Sequence, residues 1–165
     1  MKIIIPPHLR PAKKVEDYKE MFDEAKHILK GVQSRKFSIP GSKYNDCFAM
    51  AQPQVSDNPL RYFILNPYTA NKAILELGGL VIVNPRIVSK DKQSKTISKE
   101  ACMSYPFRDQ KKIKRFNNIT VTYDVISDTN KPKIVKVNEK NISGLTAFIF
   151  QHELEHLNGK SIWKN

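Results

Sequence analysis

The 165-residue sequence predicts an α+β domain, in which a C-terminal helix and an N-terminal helix pack with largely antiparallel sheets. Apolar residues recur at helical spacing near both ends of the chain, and short β-branched runs lie between them. The sequence contains neither an internal repeat nor a Gly/Ser-rich linker. We therefore expect one domain over residues 1–165.

The N-terminal helix is predicted from apolar residues three and four positions apart: Val15, Tyr18, Phe22, Ala25 and Leu29. Gly31 follows this series and is expected to end the helix as a C-terminal glycine. Four strands are predicted between the helices, at residues 62–65, 80–83, 119–124 and 133–137. Each run is bounded by Pro, Asn, Asp or Gly, which is typical of strand ends.

The C-terminal helix carries an apolar stripe that two histidines continue. Its residues fall at i, i+3, i+4, i+7 and i+11 and are Leu145, Phe148, Ile149, His152 and His156. Residues at this spacing share one helix face, which we expect to be buried. Asn141 or Ser143 is expected to cap the start, and Gly159 to end the helix.

Composition narrows the class of protein. Lys and Arg total 28 against 16 Asp and Glu, a formal net charge of +12. No apolar run is long enough to span a bilayer, and the N-terminal run is too short for a signal peptide, so no membrane association is expected. Two cysteines, Cys47 and Cys102, exclude a disulfide framework and suit a reducing compartment.

The positive charge is densest over residues 108–115, where five of the eight residues are Lys or Arg. Charge runs are common on surfaces, so we interpret this stretch as a solvated hairpin arm. A nucleic-acid or ribosomal partner stays open, although no aromatic residues interleave with the basic ones as nucleic-acid modules usually show.

Residues 152–156 read HELEH, which indicates a metal site. The i, i+4 spacing places the imidazoles of His152 and His156 one turn apart, where each can give a nitrogen to the same ion. Glu153 would reach a metal-bound water and act as a general base. The third ligand is expected upstream, since only nine residues follow His156. The candidates are His8, His27, Cys47 and Cys102.

Three segments resemble motifs of the peptide deformylase family. Residues 100–104 (EACMS) resemble its EGCLS, residues 151–159 (QHELEHLNG) its QHExDHLxG, and residues 49–55 (AMAQPQV) its GLAAPQV. Their order and separation also agree with the family. Residues 7–10 (PHLR) and the Asn84–Pro85 pair are similar to two further family segments.

The resemblance implies a metal ion held by Cys102, His152 and His156, with water in the fourth position. It implies Fe²⁺ as the native ion, one per chain, with Zn²⁺, Ni²⁺ or Co²⁺ able to substitute. One thiolate and two neutral imidazoles leave a divalent ion at net +1 and suit Fe²⁺.

The resemblance also implies removal of the formyl group from N-formylmethionine of newly synthesised polypeptides, with release of formate. Glu153 would activate the metal-bound water and then donate a proton to the departing amine. The Gln54 amide and the Met103 backbone N–H would hold the formyl oxygen. Substrate contacts are expected from Phe48, Ala49, Met50, Ala101, Leu145, Phe148 and Ile149.

Some positions depart from the family pattern. Cys47, Ala49 and Ala101 stand where glycines are usual and are expected to narrow the peptide cleft. Glu155 replaces an aspartate and so lengthens a carboxylate near the ligands by one methylene. These changes leave open a related hydrolase that acts on another N-acyl substrate.

A non-catalytic, metal-containing relative that binds the ribosome or RNA is a third reading. The expected partners are N-formylmethionyl peptides, with ribosome association through the basic surface, and the chain is expected to be a monomer. The expected compartment is the cytoplasm of a bacterium or a phage-infected cell, with an organelle as the alternative.

Overall fold

The computed structural model describes residues 2–3, 9–127 and 129–163. The helices are α1 (Tyr18–Gln33), α2 (Asn71–Leu77) and α3 (Gly144–Leu157). The strands are β1 (Ala49–Ala51), β2 (Tyr62–Leu65), β3 (Val81–Lys90), β4 (Lys95–Glu100), β5 (Lys111–Phe116), β6 (Asn118–Ile126) and β7 (Ile134–Ser143). Short 3₁₀ turns lie at Gln52–Gln54 and Lys92–Ser94.

Two antiparallel sheets organise these elements. Five strands form a sheet in the order β1-β2-β3-β6-β7, and β4 pairs with β5 as a separate two-stranded ribbon. Helix α3 packs on one face of the larger sheet and α1 on the other. The predicted α+β class with a C-terminal helix on antiparallel strands is confirmed.

The alternation of side chains in β2 shows how the sheet serves both helices. Phe63 belongs to the core beneath α3, whereas Tyr62 and Ile64 belong to the core beneath α1. The Phe63 ring meets Phe150 of α3 edge-on, with centroids 5.8 Å apart. This apolar packing, about 2–3 kcal/mol for each fully buried aromatic side chain, fixes the position of α3.

Helix α1 continues past the glycine that was expected to end it, so that prediction is wrong. The helix ends at Gln33, and Arg35 takes the left-handed conformation with φ 56°. Gly31 instead leaves room for a neighbouring ring, since a Cβ there would lie 2.5 Å from Cε2 of Phe37. The need for glycine is therefore steric rather than conformational.

Helix α3 matches its predicted bounds, but its stripe is less buried than expected. Ser143 is the N-cap residue, without a side-chain hydrogen bond, and Gly159 follows the helix with φ 76°. Leu145 is 43% exposed, whereas Ile149 and His156 are buried. Within the first turn of α3, Leu145 therefore lies at the surface, whereas Thr146 and Ala147 remain buried.

Strand β2 has its predicted bounds, whereas β3, β6 and β7 are longer than predicted, and β1, α2, β4 and β5 were not predicted. Strand β3 runs to Lys90 rather than ending at residue 83, and β7 runs to Ser143. The basic stretch does lie on a hairpin arm, since β5 pairs with β4. Arg115 is an exception to the solvated interpretation because its side chain is 4% exposed.

Within the described ranges, no helix combines the length and apolarity needed to cross a bilayer.

Candidate active site

Three potential metal ligands meet beneath α3. Cys102 lies in the turn after β4, and His152 and His156 lie one turn apart on α3. Sγ of Cys102 is 3.3 Å from Nε2 of His156, which is 3.2 Å from Nε2 of His152. All three atoms lie within 4.8 Å of one another, which is close enough to hold one ion.

The outer nitrogen of each imidazole is held by a hydrogen-bond acceptor. Nδ1 of His152 lies 2.8 Å from Oε1 of Glu100, and Nδ1 of His156 lies 3.0 Å from the Lys160 carbonyl oxygen. With Nδ1 held in this way, Nε2 of each ring points toward the thiol and would bind an ion through its lone pair when the ring is neutral. The second interactions thus orient both rings as metal ligands.

The chemistry of this donor set fits a divalent ion of intermediate softness. Burial would raise the pKa of the Cys102 thiol, but the charge on His156 and hydrogen bonds from both histidines hold that pKa well below its usual value. The thiolate is the form that binds metals. One thiolate and two imidazoles suit Zn²⁺ and Fe²⁺, so the residues present fit the expected ion.

A buried ion-pair network supports the ligands from the ribbon. Arg115 of β5 donates from Nε and Nη2 to the two Glu100 oxygens at 2.9 and 2.7 Å. It also donates to both oxygens of Glu155 on α3. Burial opposes ionisation of Glu100, but Arg115 and His152 lower the pKa of Glu100 to about 2. The carboxylate that orients His152 therefore stays charged.

Glu153 is buried beside the ligands and is 5% exposed. Within the described part of the chain, its Oε2 atom has no hydrogen-bond partner. Burial raises the pKa of this carboxyl despite the nearby His152 and His156. A buried carboxyl oxygen without a hydrogen-bond partner costs free energy, which makes Glu153 a candidate catalytic group.

Gln54 is held at the same site by its own turn. Its Oε1 accepts from the Ala51 backbone N–H at 3.0 Å, which fixes the amide. Its Nε2 donates to Oγ of Ser104 at 3.0 Å and lies 3.9 Å from Sγ of Cys102. The neighbouring Met103 is buried and lines the adjoining pocket. Gln54 and Met103 thus flank the thiolate.

A pocket of about 300 Å³ opens over Glu153 and His152. Six of the seven residues predicted to contact substrate line it: Phe48, Ala49, Ala101, Leu145, Phe148 and Ile149. Met50 does not line the pocket, because it is fully buried in the core beneath α1. Strand alternation explains this difference, since Met50 points away from its neighbour Ala49.

The segment after α3, residues 160–163, forms a strap that lies across the loop after Cys102. Ile162 is buried, and its carbonyl oxygen accepts from Nζ of Lys111 at 2.8 Å. The Trp163 ring lies 4.6 Å from the Arg108 guanidinium, and Tyr105 donates to the Trp163 carbonyl oxygen at 3.2 Å. This strap, residues 160–163, supplies the carbonyl that orients His156.

The other ligand candidates are separate from this cluster. His27 is exposed on α1, where its Nδ1 bonds to the Asp23 carbonyl oxygen. Cys47 lines the pocket, and burial together with the charge of Glu153 raises the pKa of its thiol to about 12. His8, with Pro7 of the PHLR segment, lies outside the described residues.

The sequence reasoning missed Arg115, Ser104 and the Lys160 carbonyl oxygen. Arg115 was counted as one member of a surface charge run. A signal did exist, since Arg115 alternates with exposed Lys112 and Lys114 along β5 and so points to the opposite face.

Comparisons with known proteins agree with the geometry. The sequence model of the polypeptide deformylase family matches residues 8–165. A curated peptide deformylase from Campylobacter jejuni is 32% identical over 104 residues, which cover 62% of this chain and 54% of that protein. The match thus spans about half the length of that curated relative.

Two solved structures superpose over almost the whole chain. The deformylase of a Vibrio parahaemolyticus bacteriophage gives a TM-score of 0.65 at 26% identity, covering 98% of this chain and 100% of that chain. A probable peptide deformylase from a Synechococcus phage gives a TM-score of 0.69 at 25% identity, covering 98% and 96%. The fold is therefore similar to these proteins throughout.

Proposed function

The chain belongs to the polypeptide deformylase family, and from this premise we propose that it hydrolyses the formyl group from N-formylmethionine at the start of new polypeptides. Formate and a free amino terminus are the products. One observation carries the proposal. Among the described residues, the buried Oε2 atom of Glu153 has no hydrogen-bond partner, and this carboxyl adjoins the three potential ligands at an apolar pocket.

Cys102, His152 and His156 would hold one divalent ion. When bound, such an ion polarises the formyl carbonyl and makes a water molecule more acidic. We propose Fe²⁺ as the native ion, with Zn²⁺, Ni²⁺ or Co²⁺ as substitutes, because one thiolate and two imidazoles accept each of them. Glu100 and the Lys160 carbonyl oxygen would hold the two rings in the same orientation for each of these ions.

Glu153 would move the proton. Its carboxylate takes a proton from the attacking water as the water oxygen bonds to the formyl carbon. It then gives that proton to the amine nitrogen as the carbon–nitrogen bond breaks, and formate leaves. Glu153 suits both steps because its Oε2 has no partner among the described residues and so needs no existing bond to break.

Gln54 and the backbone N–H of Met103 would hold the formyl oxygen. Negative charge develops on that oxygen when water adds to the carbon, and fixed donors stabilise it. Gln54 is prepared for this role because Ala51 anchors its Oε1 and leaves Nε2 beside Cys102. Ser104 accepts from Nε2 in the meantime and keeps the amide oriented.

The pocket would take the methionine side chain. Phe48, Leu145, Phe148 and Ile149 give it an apolar lining next to Glu153. An unbranched, polarizable thioether chain fits such a lining. We propose N-formylmethionyl peptides as the substrate class on this ground.

A related hydrolase that acts on another N-acyl group is the second candidate. Cys47, Ala49 and Ala101 line the pocket with side chains where the family motif usually has glycine. These side chains reduce the space in which a peptide backbone approaches the site, so they favour a changed acyl or peptide preference.

Formate release from formyl-Met-Ala-Ser, measured together with metal content, tests the proposal. We expect formate from the metal-loaded protein and none from acetyl-Met-Ala-Ser. Acetate from the acetyl peptide without formate would instead support the second candidate. Stoichiometric metal with neither product would contradict both and favour a non-catalytic protein.

The proposed setting follows from the substrate. Formylated amino termini arise on ribosomes, so we propose that the protein acts as a monomer in the cytoplasm of a bacterium or phage-infected cell. Its positive charge of +12 favours association with the ribosome.

A further inference from the structure

The β4–β5 ribbon has two faces of opposite character. Its inner face carries Glu100 and Arg115, which support the candidate active site. The cross-strand pairs of its outer face are Lys95 with Phe116, Ile97 with Lys114, and Lys99 with Lys112. Residues directly opposite each other project to the same side of an antiparallel pair, so these six form one surface.

This outer face is a concentrated positive surface. Its four lysines are exposed, and none of its six residues is acidic. Lys90 of β3 adds a fifth, since its Nζ lies 5.1 Å from the centroid of the Phe116 ring, and Lys95 lies 5.4 Å from it. No ion pair within the described ranges neutralises any of these lysines.

The arrangement opposes stability of the ribbon. Lys99 and Lys112 lie directly opposite each other, and like charges in that relation are destabilising. A carboxylate at either position would replace this repulsion with an attraction between opposite charges. The inner face has such an attraction, between Arg115 and Glu100. Keeping both lysines is explained if the outer face meets a polyanion.

The position of the face connects it to the pocket. Lys99 lines the pocket as well as belonging to the outer face. Ile97, at 57% exposure, is the one strongly exposed apolar side chain of the six, which is too little for insertion into a lipid surface. A phosphate backbone needs only cationic contacts of the kind that these lysines provide.

We propose that the outer face of the β4–β5 ribbon binds the phosphate backbone of RNA and thereby holds the pocket beside it. The inference rests on the proposed function, in which the substrate is a chain newly made on an RNA-rich particle. The inference assigns the binding of this particle to one surface of the fold rather than to the net charge alone.

Two matched triple variants test this assignment. The first is Lys95→Gln, Lys112→Gln and Lys114→Gln on the outer face. The control is Lys131→Gln, Lys133→Gln and Lys136→Gln, which removes three exposed lysines near and within β7. Both variants change the net charge by the same amount. Binding of a labelled ribosomal RNA hairpin is measured for each at several salt concentrations.

The ribbon variant is expected to reduce the magnitude of the slope of log affinity against log salt by about 2–3, since each of three lost phosphate contacts removes about 0.7–0.9. The control is expected to keep the slope of the unmodified protein. Equal losses in both variants would overturn the proposal, because net charge would then explain the binding. If the ribbon variant lost binding to anionic phospholipid vesicles but kept its RNA binding, the proposal would be overturned in favour of a membrane partner.

A single variant separates binding from folding. Lys112→Glu puts an acidic residue opposite Lys99, so it is expected to raise the melting temperature slightly while weakening RNA binding. Unchanged RNA affinity in a folded Lys112→Glu protein would also overturn the proposal.

Formate release from formyl-Met-Ala-Ser is expected to stay within about twofold of the unmodified protein's rate in both triple variants. Failure of the proposed function would instead abolish release in the unmodified protein.

Discussion

The two sides of α3 each carry a glutamate, and the two glutamates differ in their hydrogen bonding. Glu153 faces the pocket, is 5% exposed, and has an Oε2 atom with no partner in the described structure. Glu155, two positions later, faces the ribbon, and Arg115 donates to both of its oxygens. Among the described residues, Glu153 thus keeps one oxygen without a hydrogen bond, whereas both oxygens of Glu155 accept from Arg115.

This difference separates chemistry from positioning within one helical turn. A buried carboxylate without partners costs free energy and persists where a reaction uses it. A carboxylate held by arginine in a bidentate manner gives direction instead. Here Arg115 joins Glu155 to Glu100, which in turn orients His152. In the proposed mechanism, the pocket side of α3 thus moves the proton and the ribbon side holds the ligands in place.

Removing a metal ligand should abolish metal binding and turnover together. His156→Ala takes away one of three donors, so metal content and formate release are expected to fall together to background. Metal analysis of the purified variant, with formate release from the same sample, checks this. A stoichiometric ion in His156→Ala would show that the site is built from other residues.

Breaking the Arg115 contacts on the ribbon side should lower metal affinity more than it lowers turnover per bound ion. Arg115→Met removes both Arg115 hydrogen bonds to Glu100 and leaves His152 as the remaining partner of that carboxylate. Metal affinity is therefore expected to fall about tenfold to hundredfold, and the free energy of unfolding by about 3 kcal/mol. Turnover per bound ion should change little. Competition with a chelator and denaturant unfolding measure the two losses.

The matched control is Arg35→Met, which removes the exposed Arg35–Asp46 ion pair. Its expected cost is at most about 1 kcal/mol, without a change in metal affinity. Equal costs for the two arginines would refute the buried network as a support of the site.

The pocket side makes a prediction about substrate choice. Phe148 lies one turn before His152 and lines the pocket. Phe148→Ala should reduce discrimination between formyl-Met and formyl-Ala peptides by about 1–3 kcal/mol, with metal content unchanged. The loss in kcat/KM should fall mainly on formyl-Met. The same loss for both peptides would place the methionine pocket elsewhere.

The smallest effect is expected from the strap. Trp163 is the single tryptophan of the chain, and its ring stacks near Arg108 and Lys111. Trp163→Ala should weaken metal affinity by less than the roughly tenfold to hundredfold of a direct outer partner, because it acts on His156 only through Lys160. Trp163→Phe should restore the affinity. An unaltered affinity in Trp163→Ala would show that the Lys160 carbonyl needs no strap.

The sequence predicted α3 and its histidines well because helical spacing and ligand spacing coincide there. It predicted Gly31 wrongly, since a glycine kept to admit the Phe37 ring looks the same in a sequence as one that ends a helix. It misjudged Arg115 because a charge run does not state which member turns inward. That choice depends on pairing with β4, a contact between strands that local sequence does not encode.

The most direct test of the account measures metal affinity and formate release per bound ion in Glu153→Gln and Glu155→Gln. Glu153→Gln is expected to keep the ion and to lose turnover by about a hundredfold or more, because the proton carrier is gone. Glu155→Gln is expected to bind the ion more weakly while each bound ion turns over at nearly the normal rate. Loss of metal in Glu153→Gln, or near-normal turnover there, would contradict the division of roles along α3.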